Sequence, residues 1–321
     1  MTQRDSSAPT YRILTIDGGG VKGVFPASLL AEFEKFLGSP IAEYFDLIAG
    51  TSTGGIIAIG LGLGLSAQEI LDFYEKNSPA IFAGRRRRSV RPFFAAKYDP
   101  KPLHDALINA FGDKLLGDSK TRLLIPSLNL ETGEVHVFKT AHHSRFVRDY
   151  KEKAVDVALA TAAAPAYFPT HTLSSGEPLV DGGMWANNPM GTAAVEALGV
   201  LGWQRGDIKL LGIGCTETPP DTANRRARGI VNYWATRLVS IFMAGQSSSS
   251  LGTAQILLGH DNVHRISPHV GGGRYKLDGA NAIKSLKGLG ASEARKEFPK
   301  VQSMFLSGES QPFVPMKEVE R

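Results

Sequence analysis

The chemistry this chain could do starts at a serine between glycines, Gly50-Thr51-Ser52-Thr53-Gly54. The pattern is G-x-S-x-G. A short apolar run precedes it (Tyr44 to Ala49) and an apolar helical run follows it (Ile56 to Leu65). A nucleophile elbow needs that setting, because its serine sits on a tight, strained turn between a strand and a helix. Small neighbours let the backbone turn, and the N-terminus of the following helix favours negative charge developing beside the hydroxyl. The same residues also fit a plain glycine turn whose serine caps a helix.

Acyl transfer by such a serine needs donors aimed where the carbonyl oxygen becomes negative. Gly18-Gly19-Gly20 follows the first apolar run and exposes backbone N–H groups with no side chain in the way, a nest suited to an anion. Lys22 adds positive charge close by. On this reading, Gly19→Ala puts a methyl where backbone must approach the charged oxygen. A rival use exists, since Gly18, Gly20 and Gly23 match the dinucleotide pattern G-x-G-x-x-G. That pattern asks for an acid about twenty residues on, at the end of the second strand. Asp46 has roughly the spacing but lies near the start of its strand, whose end is taken by the serine elbow. A P-loop is excluded, because no Gly-Lys-Ser or Gly-Lys-Thr follows.

The serine needs a proton acceptor, ordinarily histidine. Eight histidines are present: His104, His136, His142, His143, His171, His260, His264 and His269. None stands in a glycine-bounded loop at the end of an expected strand. His136 alternates within an apparent strand, His104 lies on an expected helix, and the adjacent His142 and His143 suit a solvated loop. Asp181 differs: it ends the short apolar run Pro178 to Val180 and opens Asp181-Gly182-Gly183. At the C-terminal end of a strand it shares the sheet edge with Ser52, where α/β folds put their sites. An Asx turn explains the same residues equally well.

The elements that must hold these groups follow from the same runs. Strands are expected at Tyr11 to Ile16, Tyr44 to Ala49, Pro178 to Val180 and Ile208 to Ile213, and helices at Pro26 to Phe36 and Ile56 to Leu65. Strands alternating with helices imply an α/β fold with a mostly parallel sheet covered on both faces. The 321 residues, 42% hydrophobic and 21% charged, are enough for one domain with a sizeable core. We expect a disordered tail over residues 1–10 and a single domain over 11–321, with its motifs in 11–191. The stretch 192–321 is less legible and holds the serine run Ser247 to Ser250, expected within a helix, and a glycine loop, Gly271 to Gly273.

Composition narrows the setting. The single cysteine, Cys215, cannot form a disulfide within the chain and points to a reducing compartment. The polar first residues read as no signal peptide, and no apolar run approaches the ~20 residues of a membrane span. The expected location is cytoplasmic, with peripheral contact at the inner membrane. A net charge of +5 favours anionic partners. The basic insert Arg85 to Lys97 interleaves five arginines with Phe93 and Phe94, which fits a solvated loop, a lipid-docking surface or an effector site for an anion; Arg225 to Arg228 form a second basic patch.

Taken in order, three motifs resemble the patatin-like phospholipase family: Asp17-Gly18-Gly19-Gly20-Val21-Lys22-Gly23, Gly50-Thr51-Ser52-Thr53-Gly54-Gly55, and Asp181-Gly182-Gly183-Met184-Trp185-Ala186-Asn187-Asn188-Pro189. Tyr98-Asp99-Pro100 and the stretch Ala162 to Pro169 support the match. The resemblance implies a three-layer α/β/α sandwich and a Ser–Asp dyad without histidine. Ser52 then attacks an acyl ester, Asp181 takes its proton, and Gly18 to Gly20 form the oxyanion hole. It further implies a phospholipase A type of reaction on phospholipids or neutral lipids, with no calcium and no other cofactor. Lys22 departs mildly, standing where many members carry arginine, so charge is kept but a planar fork is lost. A compact member also resembles bacterial phospholipase effectors of anti-phage systems, which implies a cyclic nucleotide activator and no nucleic acid polymer as partner. Two alternatives stay open: a catalytically silent binding or storage protein on the same scaffold, and a nucleotide-binding regulator that uses the first glycine loop.

Overall fold

The computed structural model describes residues 10–83, 96–217, 235–271 and 274–319. Most of the basic insert, from Arg85 to Phe94, the patch Arg225 to Arg228, residues 1–9 of the expected tail, and Gly272 and Gly273 lie outside the described residues.

In chain order the strands are β1 (Tyr11–Ile16), β2 (Leu47–Gly50), β3 (Arg122–Asn129), β4 (Val135–Lys139), β5 (His171–Thr172), β6 (Pro178–Asp181), β7 (Ile208–Ile213) and β8 (Val263–Ile266). The helices are α1 (Val24–Leu37), α2 (Thr53–Gly62), α3 (Ala67–Ile81), α4 (Lys101–Phe111), α5 (Ala154–Ala162), α6 (Gly183–Ala186), α7 (Met190–Gly199), α8 (Ala235–Leu258) and α9 (Ile283–Phe305). All strands join one sheet in the order β5-β6-β3-β2-β1-β7-β8, with β4 on the other edge of β3. The run β3-β2-β1-β7-β8 is parallel throughout. Strands β4 and β6 run against β3, and β5 against β6. The expected α/β fold with a mostly parallel sheet is therefore present.

The apolar strands have no polar face because both sides are covered. Successive residues alternate between two separate cores. Leu14, Ile16, Ile48, Ile125, Leu211 and Ile213 join the core under α1, α2, α3 and α9. Ile13, Leu47, Ala49, Leu124 and Leu210 join the core under α7 and α8, with Ala193, Ala197, Ala254 and Leu258. This period of two across one sheet makes the three layers. Helix α2 is buried along its whole length, so its sequence is apolar all round. Among the described residues, no helix is long and apolar enough to cross a membrane.

Two boundaries differ from expectation. The second strand begins at Leu47, because Ile41–Tyr44 form a 3-10 turn; Asp46 bonds Arg12 twice, its N–H donating to the carbonyl and its carboxylate accepting the N–H. The helix expected from Ile56 begins at Thr53, immediately after the serine.

One feature of the topology decides where the site forms. Along a single edge of β3, β2 pairs with Arg122 to Leu124, and β6 pairs with Ser127 to Asn129. The opposite edge is filled by β4. So β2 and β6 lie end to end on one edge of β3 and run toward each other. Pro126, which has no N–H for a ladder, stands at the gap between them. The exit of β2 carries Ser52, and the exit of β6 carries Asp181.

Candidate active site

Ser52 has φ 56° and ψ −123°, a left-handed conformation that is rare for a residue with a Cβ. The glycines around it are there for space. A Cβ on Gly50 would overlap the carbonyl of Gly54, and one on Gly54 would overlap the carbonyl of Ile16. The turn is held from outside as well. Ser52 N–H donates to Thr161 Oγ1 (3.0 Å), and Thr161 donates to the Pro126 carbonyl (2.6 Å). Thr51 Oγ1 donates to the Ala186 carbonyl (2.7 Å), which ties the elbow to the Asp181 loop. Strain of this kind persists only where the surroundings over-determine it.

Ser52 Oγ donates to Asp181 Oδ2 at 2.6 Å, and Gly183 N–H donates to Asp181 Oδ1 at 2.7 Å. Both side chains are nearly inaccessible: Ser52 is 9% exposed and Asp181 6%. Burial pushes the Asp181 carboxyl up to about 6, and only the hydrogen bonds from Ser52 and Gly183 pull against it. The carboxylate is thus made more basic than usual while remaining ionisable near neutral pH. The expectation that Asp181 shares the sheet edge with Ser52 holds, but by head-on approach of an antiparallel strand rather than by parallel neighbours.

The glycine loop is less uniform than its sequence. Gly18 N–H is occupied, donating to the Asn187 carbonyl at 3.0 Å. Gly19 and Gly20 line the cavity that holds Ser52, and their N–H groups meet no acceptor among the described residues. Two of the three expected donors are therefore free for an oxyanion. A Cβ on Gly19 would stand 2.5 Å from Cys215 Cβ, behind the loop, so the methyl of Gly19→Ala meets Cys215 and not a bound oxygen. Lys22 likewise turns from the cavity, and its ammonium donates to the Thr216 carbonyl (3.3 Å). Asp46 accepts the Arg12 N–H at the far end of the sheet from the glycine loop, which removes the acid a dinucleotide site requires there.

Among the described residues, no histidine lines the cavity. His142 is not in a solvated loop: its ring is buried between Thr140 Oγ1 (2.9 Å) and Glu196 Oε1 (3.0 Å). His171 pairs with Asp156 and His264 with Glu297, and neither is among the residues lining the cavity. Residues around the site that carry no motif include Thr161, Tyr74 and Arg265. Tyr74 on α3 meets Thr53 through its phenol oxygen, at 2.5 Å from Oγ1 and 2.9 Å from the carbonyl. Arg265 on β8 reaches beneath the glycine loop and holds the buried Asp17 through two nitrogens, at 2.7 and 3.2 Å. Ile70, Leu71, Tyr74 and Ile81 recur at helical spacing, the one local signal of burial for Tyr74, and nothing local marks Arg265.

Above the pair lies a cavity of about 540 Å³. Ser52, Asp181, Gly19 and Gly20 supply its polar floor, and Ile81, Phe82, Tyr167, Phe168 and Leu277 are among its largely apolar walls. Donors for an oxyanion, an activated hydroxyl and an apolar chamber together suit the cleavage of an ester with a hydrophobic acyl group.

A strained serine hydrogen-bonded to a buried carboxylate at the edge of an α/β sheet, beneath an apolar chamber, is the geometry of this site. The chain belongs to the patatin-like phospholipase family, whose model matches residues 14–194. It is accordingly a lipid acyl hydrolase, one of the carboxylic ester hydrolases. A cGAMP-activated phospholipase of Vibrio cholerae serotype O1 (strain ATCC 39315 / El Tor Inaba N16961) is 34% identical over 337 residues, 91% of this chain and 93% of that protein. Another protein of that name, from Pseudomonas aeruginosa (strain BWHPSA011 / Pa011), is 44% identical over 183 residues, 56% of this chain and 55% of that protein. Among solved structures, VipD from Legionella pneumophila aligns over 88% of this chain and 67% of its own, with 15% identity and a TM-score of 0.42.

Proposed function

We propose that this chain cleaves acyl esters of phospholipids by a phospholipase A type of reaction through a Ser52–Asp181 dyad. Asp181 Oδ2 takes the Ser52 proton as Oγ attacks the ester carbonyl carbon. The resulting oxyanion takes the N–H groups of Gly19 and Gly20. Collapse breaks the ester bond, and the departing alcohol leaves with the proton held by Asp181. Water, deprotonated by the same carboxylate, then attacks the acyl-serine, and collapse frees the fatty acid as the proton on Asp181 returns to Ser52 Oγ. The observation that carries this reading is the 2.6 Å contact between Ser52 and Asp181 at the floor of an apolar cavity. The partly raised carboxyl supports the role of base, because an acceptor works best with a pKa near the working pH.

Two finer assignments go with it. The names of the Vibrio and Pseudomonas relatives support a cyclic nucleotide, cGAMP in their case, as the activator of this chain too and with it a place in antiviral defence. The arginines and phenylalanines of Arg85 to Lys97 support a cytoplasmic enzyme that docks peripherally on anionic lipid at the inner membrane. The test is fluorophosphonate labelling mapped to Ser52 by mass spectrometry, joined to product lipidomics of wild type and Ser52→Ala with and without cGAMP. Free fatty acid that appears only with wild type and rises with cGAMP is the expected result. Absence of both label and product would return the chain to a silent binding protein. Vesicle co-sedimentation that is unchanged when Arg85 to Arg88 become glutamine would remove the docking role.

A further inference from the structure

Beside the cavity that holds Ser52 lies a second one, of about 220 Å³, between α3 and α4. Ile56 and Phe73 line both. They are therefore the wall between a chamber that begins at the nucleophile and a smaller one beyond it. We infer that Ile56 and Phe73 form a partition that sets the length of acyl chain this enzyme accepts, and that the second cavity is unused acyl space behind it. The inference rests on the acyl hydrolase reading above and names the specificity determinant of that same site.

The position of the wall is fixed relative to the reacting atom from both sides. Ile56 stands on α2 one turn beyond the nucleophile, and its N–H donates to the Ser52 carbonyl at 3.0 Å. Phe73 precedes Tyr74, whose phenol bonds Thr53, the residue after the nucleophile. Its ring packs edge-on against Tyr74, with centroids 5.4 Å apart. The wall therefore cannot slide along α3 without breaking contacts to the elbow itself. An acyl chain whose carbonyl carbon sits at Ser52 Oγ then has a defined run before its end meets these two side chains. Beyond them, Leu65, Ile70 and Phe111 continue an apolar lining, while Glu69 marks a polar rim. Neither side chain carries a group that can donate or accept a proton, so the wall acts on the length of the chain and not on the chemical step.

Each methylene buried in the chamber contributes about 0.8 kcal/mol, which is about fourfold in kcat/KM. Across p-nitrophenyl esters from butyrate to palmitate in fixed detergent, kcat/KM of the wild type should climb about fourfold per carbon and then break to a plateau or fall. Phe73→Ala joins the two cavities, so the break should move to longer chains, and the palmitate-to-octanoate ratio should rise by tenfold or more. Phe73→Trp thickens the wall, so the break should move to shorter chains. The position of the break within one preparation is the readout, and partial loss of folded enzyme lowers every ester alike. A break that stays at the same carbon in both variants would overturn the partition. Ser52→Ala run on the same series separates the two readings: turnover that survives it rejects the dyad and the partition together, whereas Ser52-dependent turnover with an unmoved break rejects the partition alone.

Discussion

Two turns in this molecule begin with the same three residues, Asp17-Gly18-Gly19 and Asp181-Gly182-Gly183. Each ends an apolar strand, and each aspartate is buried. Their surroundings differ in one respect. Asp17 faces the guanidinium of Arg265, itself held by Glu217 at 2.9 Å and by Ser247 at 3.1 Å. Burial raises the Asp17 carboxyl, but a full charge opposes it. Asp181 faces a neutral hydroxyl and a backbone N–H, and burial moves it to about 6. A charge neutralised by a fixed partner is a brace. A carboxylate left near its titration point beside a hydroxyl is placed to serve as the proposed base. The lesson is that the partner, and not the local motif, divides the two roles.

The strongest way to break this contrast is at the dyad. Ser52→Ala and Asp181→Asn should each lower kcat on a short soluble ester by about 10⁴-fold or more, and the double variant should be scarcely worse, because the two act as a unit. Multiplicative losses, with folding verified by circular dichroism, would move Asp181 into the class of Asp17. No His→Ala variant that folds should approach that loss.

Next is the brace. Arg265→Met strands a buried carboxylate, and denaturant unfolding should report a loss of about 3–5 kcal/mol. Adding Asp17→Asn should recover part of it, since an uncompensated charge is the main cost. Full stability in the single variant would mean that Asp17 is protonated and needs no cation.

The glycine loop between the two turns should respond through Cys215. Gly19→Ala drives its methyl against Cys215 Cβ and displaces the Gly19 and Gly20 donors, so kcat should fall roughly 10²–10³-fold with little change in KM. Cys215→Gly in the same chain removes the obstructing atom and should restore much of the rate. A raised KM with intact kcat would mean that the loop grips substrate and transition state alike.

The smallest effect is the pH dependence. Asp181 must be ionised to accept a proton, so kcat/KM should fall tenfold per unit below about pH 6 and level off above it. Stability should run the other way. A carboxyl raised by folding contributes stability at pH below its ordinary value near 4, and loses it as pH rises through about 6. Asp181→Asn should therefore gain about 2–3 kcal/mol over wild type at pH 8 relative to pH 4. A Tm difference independent of pH would show that the carboxyl is not raised.

The sequence by itself determined the elbow turn, the glycine loop, the place of Asp181 at a strand end and the layered α/β architecture. These are local facts: strand runs Tyr11–Ile16 and Ile208–Ile213 end where their apolar residues end, and Gly50 and Gly54 are required by contacts within one turn. Spacing also brought out Asp181, through its place at the end of a strand. What the tertiary structure decided is everything that depends on a distant partner. That β6 meets β2 head-on along β3, that Gly18 N–H is consumed by Asn187, that Lys22 turns to Thr216, and that His142 is buried against Glu196 follow from the packing of segments about 50 to 200 residues apart. Arg265 lies 248 residues from the aspartate it neutralises, and Phe73 lines a chamber whose floor is set by the turns after β1, β2 and β6. No period or motif records such a meeting, because burial and pairing are properties of what surrounds a residue in space, and a strand's own residues do not specify which edge it will join.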